Sequence, residues 1–176
     1  MIMESGESRT SLSGRPVLNM PRSTYEILLE VAAGVVLAVH VMLVATTWST
    51  LSDAIPVHFG ASGIPDRWGG RGFFLLPGAV SLLLYIALTV LSRFPHNFNY
   101  PWPITGRNAA RQYQIGRAMI LSLKVETVLI FLYLQWRVVR ILERSLEGLG
   151  RGFGPAVLVI VVGTMTYFVV QAYHAR

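Results

Sequence analysis

Seven residues in this chain have side chains and spacing that could do chemistry. Asp53, His58 and Asp66 lie within fourteen residues of one another in a turn-rich polar stretch. A metal needs three or four protein ligands backed by further hydrogen bonds. The expected reading of this trio is structural: Asp66 caps a turn and His58 hydrogen-bonds across a hairpin, with no metal bound. His40, Lys124 and Glu126 stand inside otherwise apolar runs, with Glu30 nearer the end of one. A charge at that depth of a bilayer costs about 3 kcal/mol on insertion scales, so each needs a partner or a function. Lys124 and Glu126 are two apart and point to different sides of one helix, so neither pairs easily with the other. A Lys124–Glu30 or a Glu126–His40 contact would satisfy two helices at once. The expected role is a polar clamp between helices; the sharper alternative is a proton relay or ligand pocket.

The elements that must hold these residues follow from composition. Of 176 residues, 53% are hydrophobic and only 14% charged, with a mean hydropathy of +0.51. Soluble domains carry about 25% charged residues. The shortfall is concentrated in four apolar runs, at about 27–48, 73–91, 115–136 and 155–173, each near the ~20 residues that cross a bilayer core. The fold class expected is all-α: four transmembrane helices, with a short structured hairpin-like loop between the first two. Residues 1–24 form a polar N-terminal tail, and 25–176 the membrane domain. Met3 and Met20 are alternative translation starts to Met1. The first run is too long for a signal-peptide core and no cleavage pattern follows it, so it is expected to remain as an anchor. The third run continues through a basic linker with Arg140, Glu143, Arg144 and Glu147. The glycines at 148, 150, 152 and 154 end it and read as a flexible connector.

The net charge of +6 and pI near 10.2 would suggest nucleic acid in a soluble protein. Here the arginines gather at the ends of the apolar runs, Arg22, Arg71, Arg93, Arg117 and Arg137 among them, where they anchor helices to headgroups. The expected partners are therefore membrane lipids and other membrane protein subunits, not nucleic acid. Four spans leave both termini on one side, which carries eight Lys and Arg against six on the other. That balance points to cytoplasmic termini. Gly34 and Ala38 form a small-x-x-x-small pair suited to close helix packing. The absence of cysteine excludes thiol chemistry, Cys-ligated zinc and iron–sulfur clusters. No cofactor is expected. Haem or chlorophyll ligation at His40 is the alternative, but a bis-histidine haem needs a second His at matching depth, and His58, His96 and His174 fall outside the runs.

The first loop carries a more specific pattern. Leu51, Ile55, Pro56, His58, Phe59, Gly63, Pro65, Asp66, Trp68 and Gly69 follow the order Leu-Pro-x-x-Ile-Pro-x-His-Phe, then Gly-x-Pro-Asp-x-Trp-Gly and a basic residue. This resembles the signature of the bacterial membrane domain of unknown function numbered sixteen-forty-eight, which also forms the N-terminal part of SdpI-type immunity proteins. Ser52 replaces the usual proline, and Arg71 stands where lysine is commoner. Residues 98–113 resemble a block of short, stand-alone members. The resemblance implies a multi-pass protein of the bacterial inner membrane. It assigns no general activity, and this chain lacks room for the C-terminal half of SdpI-type proteins. The leading expectation is a non-catalytic accessory or assembly subunit of a larger membrane complex, respiratory or photosynthetic complexes included. A stand-alone SdpI-like immunity or envelope-signalling protein is the alternative. A small membrane enzyme or transporter using Glu126, Lys124 and His40 is the third reading.

Overall fold

The computed structural model describes residues 14–176; the first thirteen residues of the tail, with Met1, Met3 and Arg9, lie outside them. Four helices follow in chain order: α1 (Thr24–Thr47), α2 (Leu75–Leu91), α3 (Ala109–Leu142) and α4 (Phe153–His174). A two-stranded antiparallel sheet, β1 (Ala54–Phe59) and β2 (Pro65–Gly70), connects α1 to α2.

Each boundary has a local cause. Ser23 caps α1, taking the Glu26 amide on its hydroxyl while the Glu26 carboxylate accepts the Ser23 amide, a reciprocal capping box. Pro56 keeps Ile55 extended, as β1 requires. Gly63 turns the hairpin at φ +77°, a conformation that side chains disfavour. α3 stops at Leu142 rather than running on through Glu147; Glu143 is its C-cap and Arg144 takes φ +56°.

Among the described residues, three segments are long and apolar enough to cross a membrane: Thr24–Thr50, Arg71–Leu91 and Phe153–His174. Their outward faces are apolar and exposed, as at Val31, Val35, Leu83, Ile86, Leu158 and Val159. α3 is not among the three. It is nevertheless the centre of the bundle, packing against α1, α2 and α4. With 34 residues it extends about 51 Å at 1.5 Å per residue.

The packing stripe of α1 is offset from the expected Gly34–Ala38 pair. Ala33 is fully buried and Gly34 faces the Tyr85 hydroxyl, whereas Ala38 is exposed. Buried Glu26, Ala33 and His40 mark the inward stripe, and position 38 stands about 140° around the helix from Ala33.

Candidate functional site

The polar residues of the bundle are organised around α3. Arg117 is a buried cross-link rather than a headgroup anchor. Its guanidinium donates through two nitrogens to the two oxygens of Glu26 on α1. It also reaches the carbonyls of Pro21, at 2.9 Å, and Met20, at 3.3 Å. The planar fork of arginine suits this bidentate geometry. Two turns further along α3, fully buried Lys124 donates to Glu30 and, at 3.1 Å, to the Thr89 hydroxyl of α2. Its ammonium lies 4.7 Å from the centre of the Tyr85 ring. Arg22 holds the other oxygen of Glu30 at 3.0 Å. The Lys124–Glu30 contact expected from depth is thus present, and it ties together three helices.

Glu126 and His40 do not meet. The His40 Nε2 lies 3.3 Å from the Gln135 Oε1, and the Gln135 amide donates to the Phe74 carbonyl at 2.7 Å. Glu126 turns instead to α4, where the Thr164 hydroxyl donates to its Oε1. Its Oε2 is buried, with no hydrogen-bond partner among the described residues. Depth along a helix places a residue's height but not the direction it faces, and these two face different neighbours. Gln135 escaped the sequence reading because a neutral amide carries no charge signal; a lone glutamine in an apolar run was the available clue.

The hairpin forms the second polar region. Its register sets Ile55 opposite Gly69 and Pro56 opposite Trp68, with irregularities on either side of His58. His58 Nδ1 meets Asp66 Oδ1 at 2.6 Å across the strands, on the exposed face. Asp53 does not join them; its carbonyl accepts the Arg71 amide at 3.0 Å. Among the described residues no three His, Asp or Glu side chains are grouped to hold a metal. On the opposite face, Leu51 and Ile55 pack into a core with Phe74, Val138 and Val139.

The turn between α3 and α4 is docked, not a loose connector. The Leu149 amide donates to the Gly63 carbonyl at the hairpin tip, 2.7 Å away. A Cβ on Gly148 would lie 2.2 Å from that carbonyl oxygen, so only glycine permits the approach. Arg137 donates to the Gly148 carbonyl and Tyr133 to that of Leu149. The hairpin is therefore fixed at its base by apolar packing and at its tip by hydrogen bonding.

The other end of the bundle is tied in a different way. Arg15 donates to the carbonyls of Phe98, at 2.6 Å, and His96, at 3.3 Å, and lies over the Tyr100 ring. The Tyr113 hydroxyl holds the Pro16 carbonyl, and the Gln112 amide holds Ala172 near the C-terminus. Burial, reinforced by neighbouring Tyr113 and opposed by Arg15, pushes the Tyr100 hydroxyl well above the ordinary tyrosine range. The described part of the tail, residues 14–23, is bonded to the loop between α2 and α3.

These features define a helical membrane protein with a small hairpin pinned to one end of its bundle. Residues 35–80, covering the second half of α1, the hairpin and the start of α2, match the family described as Domain of unknown function (DUF1648). An uncharacterized protein of Archaeoglobus fulgidus is 33% identical over 63 residues, which are 31% of this chain and 34% of that protein. The chain thus spans about a third of that relative's length. No solved structure matches the chain.

Proposed function

We propose that this protein is a four-span, non-catalytic membrane subunit that binds a partner protein through its hairpin. The observation that carries this reading is the two-point fixation of the hairpin, at Ile55 and at Gly63, which leaves Trp68, Arg67 and the His58–Asp66 pair outward and exposed. A fixed surface with an exposed aromatic and a guanidinium has the chemistry of binding hot spots, and its rigidity lowers the entropy lost on docking. The inward pairing of Arg117 and Lys124 supports α3 as the fourth span, since its charges then face protein rather than lipid. So does the sorting of the connections. The hairpin tip meets the α3–α4 turn at one end, and residues 14–23 meet the α2–α3 loop at the other. In this reading the termini are cytoplasmic, on the more basic side.

The test is purification of the tagged chain from its native membrane in a mild detergent, followed by mass spectrometry. Stoichiometric membrane proteins are expected, and the Trp68→Ala, His58→Ala double variant should release them without lowering the chain's own melting temperature. A solitary protein would overturn the subunit reading and favour the stand-alone SdpI-like one. Topology reporters at Ser62 and Glu147 should fall on the same side of the membrane, and reporters on opposite sides would rule out four spans.

A further inference from the structure

One oxygen of Glu126 stands apart from every other buried carboxylate oxygen near α3. Glu26 and Glu30 are each held by cations. Glu126 has the Thr164 hydroxyl on Oε1 and, among the described residues, nothing on Oε2. Away from water, an unpaired carboxylate oxygen is costly, and a donor that reached it would be held strongly.

The surroundings of that carboxylate show what such a donor would look like. α1 and α4 flank α3 without packing closely on each other. Between them lies a cavity of about 400 Å³, bordered by Glu126, Ser122, Tyr25, Tyr167 and Phe168, with Gly163 in its wall. Among the residues that line it there is one carboxylate and no basic side chain. Three aromatic rings beside a carboxylate are the chemistry that receives an organic cation, since ring faces and the anion both attract positive charge. A second hollow shares Tyr25, Tyr167 and Phe168 and continues toward Arg111 and Gln114 near the helix end, giving the groove a path outward.

We propose that this groove binds a lipophilic amine, with the protonated nitrogen donating to Glu126 Oε2 and the apolar body lying against Tyr25, Tyr167 and Phe168. A cavity of this size holds a compact aryl-alkyl group, and the unmet oxygen asks for an N–H donor rather than a quaternary centre. The inference uses only the faces of α1, α3 and α4. It stands or falls separately from the hairpin as a docking surface.

The test uses the purified full chain in nanodiscs, titrated calorimetrically with 4-phenylbutylamine and with 4-phenylbutanol, its uncharged counterpart. Saturable binding of one amine per chain is expected, at least tenfold tighter than the alcohol. Glu126→Gln should weaken amine binding at least tenfold, and Glu126→Asp should retain part of it. Gly163 is part of the groove wall and an added Cβ there meets no atom within 4 Å, so Gly163→Leu should remove binding by placing a side chain in the groove. Melting temperatures report that each variant is folded. If the Gln variant does not fold, the amine–alcohol comparison and the Gly163 variant still decide. Equal binding of amine and alcohol overturns the proposal, as does undiminished binding by a folded Glu126→Gln chain or the absence of saturable amine binding.

Discussion

On the side of α3 that meets α1 and α2, Arg117 and Lys124 are each met by a carboxylate and by further acceptors or an aromatic ring. On the side that meets α4, Glu126 has one hydroxyl and an oxygen left over. The two sides share one helix, and Lys124 and Glu126 lie at similar depth on it, so the difference between those two lies in what faces them. A fully matched buried charge works as a fastener, because its desolvation is offset and any change in it breaks a set of contacts. A partly matched charge contributes little to the fold and remains available to something else.

Breaking the fasteners is the most direct challenge to this distinction, and Arg117 should give the largest effect. Arg117→Met leaves Glu26 buried and unpaired and frees two backbone carbonyls, a loss of about 3 kcal/mol. Denaturant unfolding in detergent would measure it. Restoring most of that loss with Glu26→Gln in the same chain would show that the unpaired carboxylate, not the missing stem, carries the cost. Lys124→Met should cost less, about 2 kcal/mol, because Arg22 still neutralises Glu30. A double-mutant cycle between Lys124 and Glu30 should give a coupling above about 0.5 kcal/mol, and additive single effects would dissolve the clamp.

The hairpin offers an intermediate case, where a backbone contact rather than a charge does the fastening. Gly148→Ala forces its Cβ against the Gly63 carbonyl and should separate the tip from the α3–α4 turn. The expected loss is about 1–2 kcal/mol, together with faster amide exchange at Leu149 in hydrogen-exchange measurements. Unchanged protection at Leu149 would mean that the hairpin is held by its apolar base alone.

Much of this architecture was legible in the residues. Apolar runs gave the helices, because burial in lipid leaves a composition that no local preference disguises. The Pro56, Gly63 and Pro65–Asp66 pattern gave an ordered hairpin, because those residues restrict their own backbones. Depth alone suggested Lys124 with Glu30. Three things were not legible, each for a physical reason. Arg117 sits where an anchoring arginine would sit, and only the arrival of Glu26 from a residue 91 positions away makes it internal. The direction Glu126 faces depends on the rotation of α3 against α4, which no single helix encodes. Gly148 looks like any helix-ending glycine until the hairpin tip comes to rest on it.

The smallest expected change is the one that sharpens the distinction most. Glu126→Gln keeps an oxygen to accept from Thr164 and replaces the unmatched one by an amide or its flipped equivalent, at nearly the same volume. If Glu126 is not a fastener, unfolding should shift by less than about 1 kcal/mol, against the larger losses at Arg117 and Lys124. Matched thermal and denaturant unfolding of the three variants in one detergent would make the comparison. A loss at Glu126 as large as that at Lys124 would return it to the structural clamp. A near-neutral result would leave a buried carboxylate that the fold does not need, beside three aromatic rings and an open groove.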